Sequence, residues 1–258
     1  MKIGFIGAGN MAVAMMKGMQ AKHLDIFATD IDNEKLKGLE KIGVNILTSN
    51  QNIVDVADVI VLAIKPQQYK DIITNLKTPP DKIFLTMAPG ITLAMVKDWS
   101  GGGRVVRTMP NTPALIGEGV TAVCFGQGFD NYELEFIKSM LGDFSAVFQI
   151  EEEQMDLAIA ISGSSPIFGY KIIEIVSAFA KKNGFSEAMA KKMIAKTLIG
   201  SAMMVLASDD SPATLIDRVC SKGGTTEQLV KTLDNNNLAG IIHQGLAACV
   251  ARARNLAL

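Results

Sequence analysis

The sequence predicts an α/β fold in which a doubly wound, mostly parallel sheet is followed by a smaller part made only of helices. Three observations lead to this prediction. Short apolar runs alternate with helical patterns from Lys2 to about Ile150, as in sheets whose strands are joined by crossover helices. A glycine-rich turn follows the first of these runs. After about Glu152 the strand signals stop, and long helical patterns continue to the end of the chain.

Six apolar runs are predicted to form the strands of the sheet. In chain order they read KIGFIG, DIFATD, VIVLAI, IFLTMA, RVVRTM and AVFQI. Several are apolar almost throughout, which is typical of strands that helices cover on both faces. The segment from Arg107 to Gly119 contains prolines and an asparagine without a helical period, so it is predicted to be an ordered loop.

The helical part begins with a pattern that Ser162 to Pro166 interrupts, where a glycine and a proline bend or break the helix. Further helices are predicted over 186–208 and 238–258. Because these helices are apolar around much of their circumference, we expect a homodimer with this half as the interface. A compact monomeric bundle is the alternative. The predicted domains are therefore 1–151 and 152–258.

Composition excludes several classes of function. The chain has 258 residues, a net charge of -1 and 6% aromatic residues, which argues against nucleic acid as a partner. Three cysteines far apart give neither a disulfide framework nor a metal motif, and they favour a reducing cytoplasmic location. No uninterrupted apolar run is long enough to cross a bilayer, so no membrane partner is expected.

The glycine-rich turn is the first motif that carries chemistry. Its residues are Gly7, Ala8, Gly9, Asn10, Met11 and Ala12. The pattern is the GxGxxA form of the dinucleotide fingerprint, and it lies between a strand and a helix as that motif requires. The first glycine allows the tight turn, the second lets a pyrophosphate approach the backbone, and the helix N-terminus favours the phosphate charge. The first part is thus predicted to be a Rossmann domain.

Asp30 ends the second predicted strand, where the fingerprint places its acidic residue. A carboxylate there accepts hydrogen bonds from both ribose hydroxyls of NAD and repels a 2′-phosphate, and Ile31 follows where Arg would suit NADP. NADH is therefore predicted as the preferred cofactor over NADPH. The alternative is that Asp30 merely precedes a helix without touching a cofactor. Lys65 and Pro66 follow the predicted strand VIVLAI. Ligands of doubly wound sheets bind at such carboxyl ends of strands, so both residues are predicted to contact the cofactor.

The chain lacks the usual catalytic acid and base groups. Its two histidines, His23 and His243, lie outside any recognisable site and are expected to be structural or exposed. No Ser-His-Asp set, paired catalytic carboxylates or metal spacing is present. Hydride transfer to a substrate that is already electrophilic, such as a protonated imine, fits this inventory because the cofactor supplies the difficult step.

The stretch Ser221 to Thr226 interrupts the helices with two adjacent glycines followed by two threonines. Backbone N–H groups and hydroxyls at the start of the next helix would suit an anion such as a carboxylate. An ordinary capped turn has the same appearance. Spacing alone leaves the two interpretations open.

Taken together, these motifs resemble the pyrroline-5-carboxylate reductase family nearly end to end. The matching segments are FIGAGNMA, AIKPQ, RTMPNTPALIGEGVTA, EEEQMD followed by SGSSP, and VCSKGGTT. The resemblance implies a Rossmann domain, helical domains that interleave in a dimer, and often rings of dimers. It also implies reduction of 1-pyrroline-5-carboxylate to L-proline, the last step of proline biosynthesis, with NAD(P)H.

The resemblance also implies roles for individual residues. Ser221 and the backbone at Gly224 and Thr225 would bind the substrate carboxylate, and Thr226 would hydrogen-bond the ring nitrogen as the catalytic residue. The positions that would line the cofactor are Asn50, Ala63, Lys65 and Ala88.

The chain departs from the family pattern at several positions, which are Ile31, Pro89, Ile159, Ser165, Lys222 and Leu229. Two other functions compete with the reductase. A β-hydroxyacid dehydrogenase would use a helical lysine as general acid, a role that Lys171 could fill, although it reads more easily as a surface residue. A non-catalytic sensor would bind the dinucleotide without turnover.

Overall fold

The computed structural model describes residues 1–19 and 25–256. His23 lies outside the described residues. Contacts divide the chain into two compact units. The first contains Met1–Ser164 together with the chain from Cys249 onward, and the second is Ser165–Ala248. The domain boundary between residues 151 and 152 stays a prediction.

The first unit is built on one eight-stranded sheet. The strands are β1 Ile3–Ile6, β2 Ile26–Thr29, β3 Asn45–Ile46, β4 Val59–Leu62, β5 Ile83–Thr86, β6 Arg104–Pro110, β7 Gly119–Phe125 and β8 Ser145–Gln149. Their order is β3-β2-β1-β4-β5-β6-β7-β8. All neighbouring strands are parallel except β6 and β7. The predicted fold class is confirmed, since the sheet is mostly parallel and doubly wound.

Helices cover both faces of the sheet, which is why β1, β4 and β5 are buried along their whole length. The helices of this unit are α1 Asn10–Met19, α2 Asn33–Leu36, α3 Asn50–Val56, α4 Tyr69–Thr74, α5 Leu93–Trp99, α6 Asn131–Leu141 and α7 Met155–Ala158. Apolar side chains form a separate buried cluster on each face of the sheet. This arrangement places the carboxyl ends of β1 and β4 at the point where the strand order reverses, where doubly wound sheets bind ligands.

The segment from Arg107 to Gly119 differs from the predicted loop. β6 continues to Pro110, a 3₁₀ turn covers Thr112–Ile116, and β7 begins at Gly119. The prolines are compatible with this because Pro110 ends a strand and Pro113 lies in the first turn of the 3₁₀ segment. The strands β3 and β7 were not among the six predicted runs.

The second unit is helical. Its helices are α8 Pro166–Lys182, α9 Glu187–Leu206, α10 Pro212–Val219 and α11 Thr225–Asn235, and α12 follows at Leu238–Arg254. Before α8, the chain forms a π-helical turn at Ile159–Gly163, and Pro166 starts the new helix at its first position. The predicted break between Ser162 and Pro166 is therefore present.

Helices α8 and α9 pack against each other but leave much of their apolar surface exposed. The exposed side chains include Phe179 at 69% and Leu206 at 87%. By length and composition alone, the helical stretch Glu152–Lys182 could cross a membrane, and 11% of its most apolar window is buried. Exposed apolar side chains on two packed helices are typical of a surface that binds an apolar partner.

Candidate active site

The glycine-rich turn joins the end of β1 to the start of α1. Gly7 has a φ of 100°, and a Cβ atom there would lie 2.4 Å from the carbonyl oxygen of Ala63, so both conformation and space require glycine. A Cβ at Gly9 would meet nothing within 4 Å. The space beside the Gly9 backbone is therefore open, and a ligand can approach the backbone there. A pyrophosphate group fits this cradle at the N-terminus of α1.

A cavity of about 550 Å³ opens over this turn at the carboxyl ends of the strands. Its wall includes these predicted cofactor residues: Gly7, Gly9, Asp30, Asn50, Ala63, Lys65 and Pro66. Ala8, Asn10 and Met11 belong to the turn itself or to the first turn of α1. Ala88 is buried just after β5. The fold thus brings residues from four separate segments to one cavity.

Asp30 holds the glycine-rich turn in place. Its Oδ2 atom accepts a hydrogen bond of 2.7 Å from the Ala8 N–H, and its Oδ1 atom accepts one of 2.9 Å from the Asp32 N–H. The Lys35 ammonium lies 3.7 Å from Oδ1, and the Asp30 side chain is only 8% exposed. Both carboxylate oxygens therefore already have protein partners. A role for Asp30 in binding ribose hydroxyls stays a prediction.

Sequence reasoning missed Lys35, which also lines the cavity. It lies in the short helix α2 directly after the second strand. The signal was present, because Lys35 lies five residues after Asp30, on the short helix that follows the end of β2. The predicted cofactor choice rests on the adjacent position, Ile31, which has no charge to offer.

Tyr69 and Thr86 join the strand ends behind the cavity. The Tyr69 hydroxyl donates a 2.6 Å hydrogen bond to the Leu62 carbonyl at the end of β4, and Thr86 Oγ1 lies 3.2 Å from the same hydroxyl. The Ala88 N–H reaches Thr86 Oγ1 at 3.4 Å. Burial raises the pKa of Tyr69 to about 12. Tyr69 therefore stays neutral near pH 7 and fixes the backbone that leads to Ala63 and Ala88.

Arg107, a buried residue in the middle of β6, forms an ionic cluster with two partly exposed carboxylates. Its guanidinium lies 3.2 Å from Glu152 and 3.7 Å from Asp156. Glu152 also accepts a 2.8 Å hydrogen bond from the Leu93 N–H at the first residue of α5. This cluster ties β6 to α5 and to the segment that precedes α7. Burial, with a smaller contribution from Glu152, raises the pKa of Cys124 to about 11, so this thiol stays protonated.

The predicted substrate segment lies in the second unit. Gly223 has a φ of 71°, and its N–H donates a 2.8 Å hydrogen bond to the carboxylate of Glu227. The Gly224 N–H donates to the Ser221 carbonyl at 2.9 Å. Helix α11 begins at Thr225 without a side-chain cap, and the first N–H groups of a helix have no partner within it. The N–H groups of Thr225 and Thr226 are therefore the donors this turn presents.

Glu227 was not singled out from the sequence. It pairs with Lys231 at 3.1 Å, and the hydrogen bond from Gly223 together with Lys231 lowers its pKa. The carboxylate is thus ionised near pH 7 and stabilises the turn that carries Ser221. Its spacing from Gly223 is that of a residue on the first helical turn that reaches back to an N-terminal N–H.

Other residues named from the sequence lie outside these features. Lys171 is exposed and pairs with Glu174 at 2.8 Å. Lys222 and His243 are also exposed. Within residues 1–19 and 25–256, no group of three or more His, Cys, Asp or Glu side chains could hold a metal ion.

The fold and the glycine cradle define a dinucleotide-binding protein of the doubly wound α/β class. Comparison with known proteins sharpens this. Residues 2–90 match the family model described as NADP oxidoreductase, coenzyme F420-dependent, and residues 152–256 match the one described as pyrroline-5-carboxylate reductase dimerisation.

Full-length relatives agree with the family models. The pyrroline-5-carboxylate reductase of Pisum sativum is 30% identical, over 98% of this chain and 95% of its own length. The crystal structure of 1-pyrroline-5-carboxylate reductase from Streptococcus pyogenes has a TM-score of 0.92 at 28% identity, covering 99% of this chain and 98% of its own. The Plasmodium falciparum enzyme with NADP bound has a TM-score of 0.88 at 26% identity and covers both chains fully. The chain belongs to the pyrroline-5-carboxylate reductase family, which confirms the resemblance seen in the motifs.

Proposed function

We propose that this chain reduces the C=N bond of 1-pyrroline-5-carboxylate to give L-proline, using a nicotinamide dinucleotide. The observation that carries the proposal is the combination of both halves in one chain. The first unit holds a glycine cradle with a cavity at the strand ends, and residues 152–256 match the dimerisation region specific to this family. A fold alone would leave the reaction open, since doubly wound sheets serve many reactions.

The first unit holds the cofactor in this proposal. Gly9 and the N-terminus of α1 receive the pyrophosphate, while Asn50, Ala63, Lys65, Pro66 and Ala88 line the remainder of the binding site. When bound, the reduced nicotinamide supplies a hydride for the imine carbon. The chain's contribution is to orient the cofactor and exclude water, which lowers the entropic cost of the reaction.

The Ser221–Thr226 segment holds the substrate. The Ser221 hydroxyl and the N–H groups of Thr225 and Thr226 hydrogen-bond the carboxylate at the N-terminus of α11, where the helix dipole favours negative charge. Gly224 shapes this turn, since a Cβ atom there would lie 2.4 Å from Ser221 Oγ. The Thr226 hydroxyl hydrogen-bonds the ring nitrogen. The hydride adds to the carbon of the protonated imine, and the π electron pair of the C=N bond becomes the lone pair of the product amine.

The Thr226 assignment is tested by replacing the hydroxyl with a methyl group of similar size. We expect Thr226→Val to lower kcat/KM at least about tenfold, a loss of about 1.4 kcal/mol of transition-state stabilisation. Thr232→Val is the matched control, because the Thr232 hydroxyl bonds the Gln228 carbonyl of the same helix. Rates are followed by NADH or NADPH oxidation at 340 nm. Wild-type kinetics in Thr226→Val would overturn the assignment.

The remaining parts of the proposal concern cofactor choice, assembly and location. We expect turnover with NADH, the cofactor favoured by the acid at the end of β2, and NADPH is the alternative. The exposed apolar faces of α8 and α9 would be covered by a second copy of the chain, which gives a homodimer or a ring of dimers. We expect a cytoplasmic enzyme that needs neither nucleic acid nor a membrane.

A further inference from the structure

At the end of the cavity next to β2, the ammonium of Lys35 makes no short hydrogen bond to its neighbouring carboxylate. Lys35 and Lys65 are the two cations in the cavity wall. Lys65 follows β4, while Lys35 lies on α2 beside Asp30. The Lys35 side chain is 49% exposed, and its ammonium is 3.7 Å from the nearest Asp30 oxygen. This distance is longer than a good hydrogen bond, so the donors of the ammonium remain available to a ligand.

The charged side chains next to Lys35 already have partners within the protein. Asp30 binds the Ala8 and Asp32 N–H groups, the Asp32 side chain caps the Glu34 N–H, and Glu34 pairs with Lys37. Ile31 is 95% exposed and has no polar atom to offer. A 2′-phosphate at this end of the cavity would be repelled by Asp30 and Asp32 and would find its counter-charge at Lys35.

We infer that Lys35 is the residue that lets the cavity accept the 2′-phosphate of NADPH. Asp30 fixes the glycine-rich turn and is almost buried, so its main partners are backbone N–H groups of the protein. Lys35 offsets its charge and offers a flexible ammonium, which binds phosphate as a point charge. Lys35 thus limits the ratio by which the cavity prefers NADH over NADPH. This inference rests on the proposed dinucleotide cavity but is independent of the imine substrate.

Binding measurements without substrate test the inference. Isothermal titration of the purified protein with NADP⁺ and NAD⁺ gives both dissociation constants. We expect Lys35→Gln to raise the dissociation constant for NADP⁺ at least tenfold and that for NAD⁺ less than threefold. The fragments 2′,5′-ADP and 5′-AMP should show the same contrast. Higher salt should weaken 2′,5′-ADP more than 5′-AMP in the wild type, and this difference should shrink in Lys35→Gln.

Two further variants serve as controls. Lys37→Gln removes a lysine that pairs with Glu34 outside the cavity wall, and it should leave both dissociation constants unchanged. Lys35→Arg keeps the charge and should retain NADP⁺ binding, which separates loss of charge from damage to the fold. Equal weakening of NADP⁺ and NAD⁺ by Lys35→Gln, or no effect on either, would overturn the inference.

The outcome also separates this inference from the proposed function. Binding of both dinucleotides with the expected Lys35→Gln contrast, but without turnover of 1-pyrroline-5-carboxylate, would reject the reaction and keep the inference. Failure of the wild type to bind either dinucleotide would reject the cavity and the inference together.

Discussion

The two units of the chain bury their apolar residues in different ways. In the first unit, strands such as β4 and β5 are buried along their whole length, and clusters on both faces of the sheet complete the core. In the second unit, the two long helices leave large apolar side chains exposed, and Ala190 is the one buried residue of α9. Because apolar burial is the main source of folding free energy, the first unit has a core of its own. In the proposed homodimer, the second unit completes its core against another copy of the chain.

The largest expected effect comes from placing charges in the proposed dimer interface of the second unit. Ile199 and Met203 lie one turn apart on α9, at 51% and 61% exposure. Replacing both with Glu should raise the dimer dissociation constant at least about a hundredfold, because each buried side chain contributes roughly 1.5–3 kcal/mol. Sedimentation velocity measures the change. Tyr132→Glu, at an exposed position of the first unit, should leave the dimer intact. A double variant that dimerises like the wild type would contradict the assigned face.

The next effect compares one phenylalanine from each unit. Phe84 is completely buried in β5, whereas Phe179 on α8 is 69% exposed. Phe84→Ala should lower the free energy of unfolding by about 3–5 kcal/mol, since it leaves a cavity in a packed core. Urea denaturation at two protein concentrations measures both variants. The Phe84→Ala loss should be independent of concentration, while Phe179→Ala should act mainly by weakening the dimer. A loss of similar size and concentration dependence in both variants would remove the distinction between the units.

The smallest effect concerns the strand ends that support the cofactor. Tyr69→Phe removes the hydrogen bond to the Leu62 carbonyl and should cost about 1–3 kcal/mol of stability. The pKa of Tyr69 is raised from 10 to about 12 in the folded protein, so the unfolded chain releases the proton first as pH rises. The stability that Tyr69 contributes is therefore complete below pH 10 and is lost as pH rises toward 12.

Unfolding of wild type and Tyr69→Phe at pH 8 and pH 11 measures this contribution. The difference between the two proteins should shrink at the higher pH, and the KM for the cofactor should rise in the variant at pH 8. A difference that stays constant with pH would show that the hydroxyl is not held as described.

The sequence predicted those features that depend on neighbouring residues. The glycine-rich turn, the strands around it and the start of α11 at Thr225 follow from short patterns with a local physical cause. The strand β3 escaped prediction because it has two residues, and β7 because its antiparallel pairing with β6 depends on a partner across a turn. Arg107 with Glu152, and Tyr69 with Leu62 and Thr86, are contacts made by folding. Their residues carry no local signal for each other, so sequence spacing could not reveal them.

The most direct test of the central claim follows NADH and NADPH oxidation at 340 nm with 1-pyrroline-5-carboxylate, while amino-acid analysis measures the L-proline formed. We expect oxidation that requires the imine, with one L-proline produced for each dinucleotide oxidised. Binding of dinucleotide without oxidation by either cofactor, or oxidation without L-proline, would contradict it.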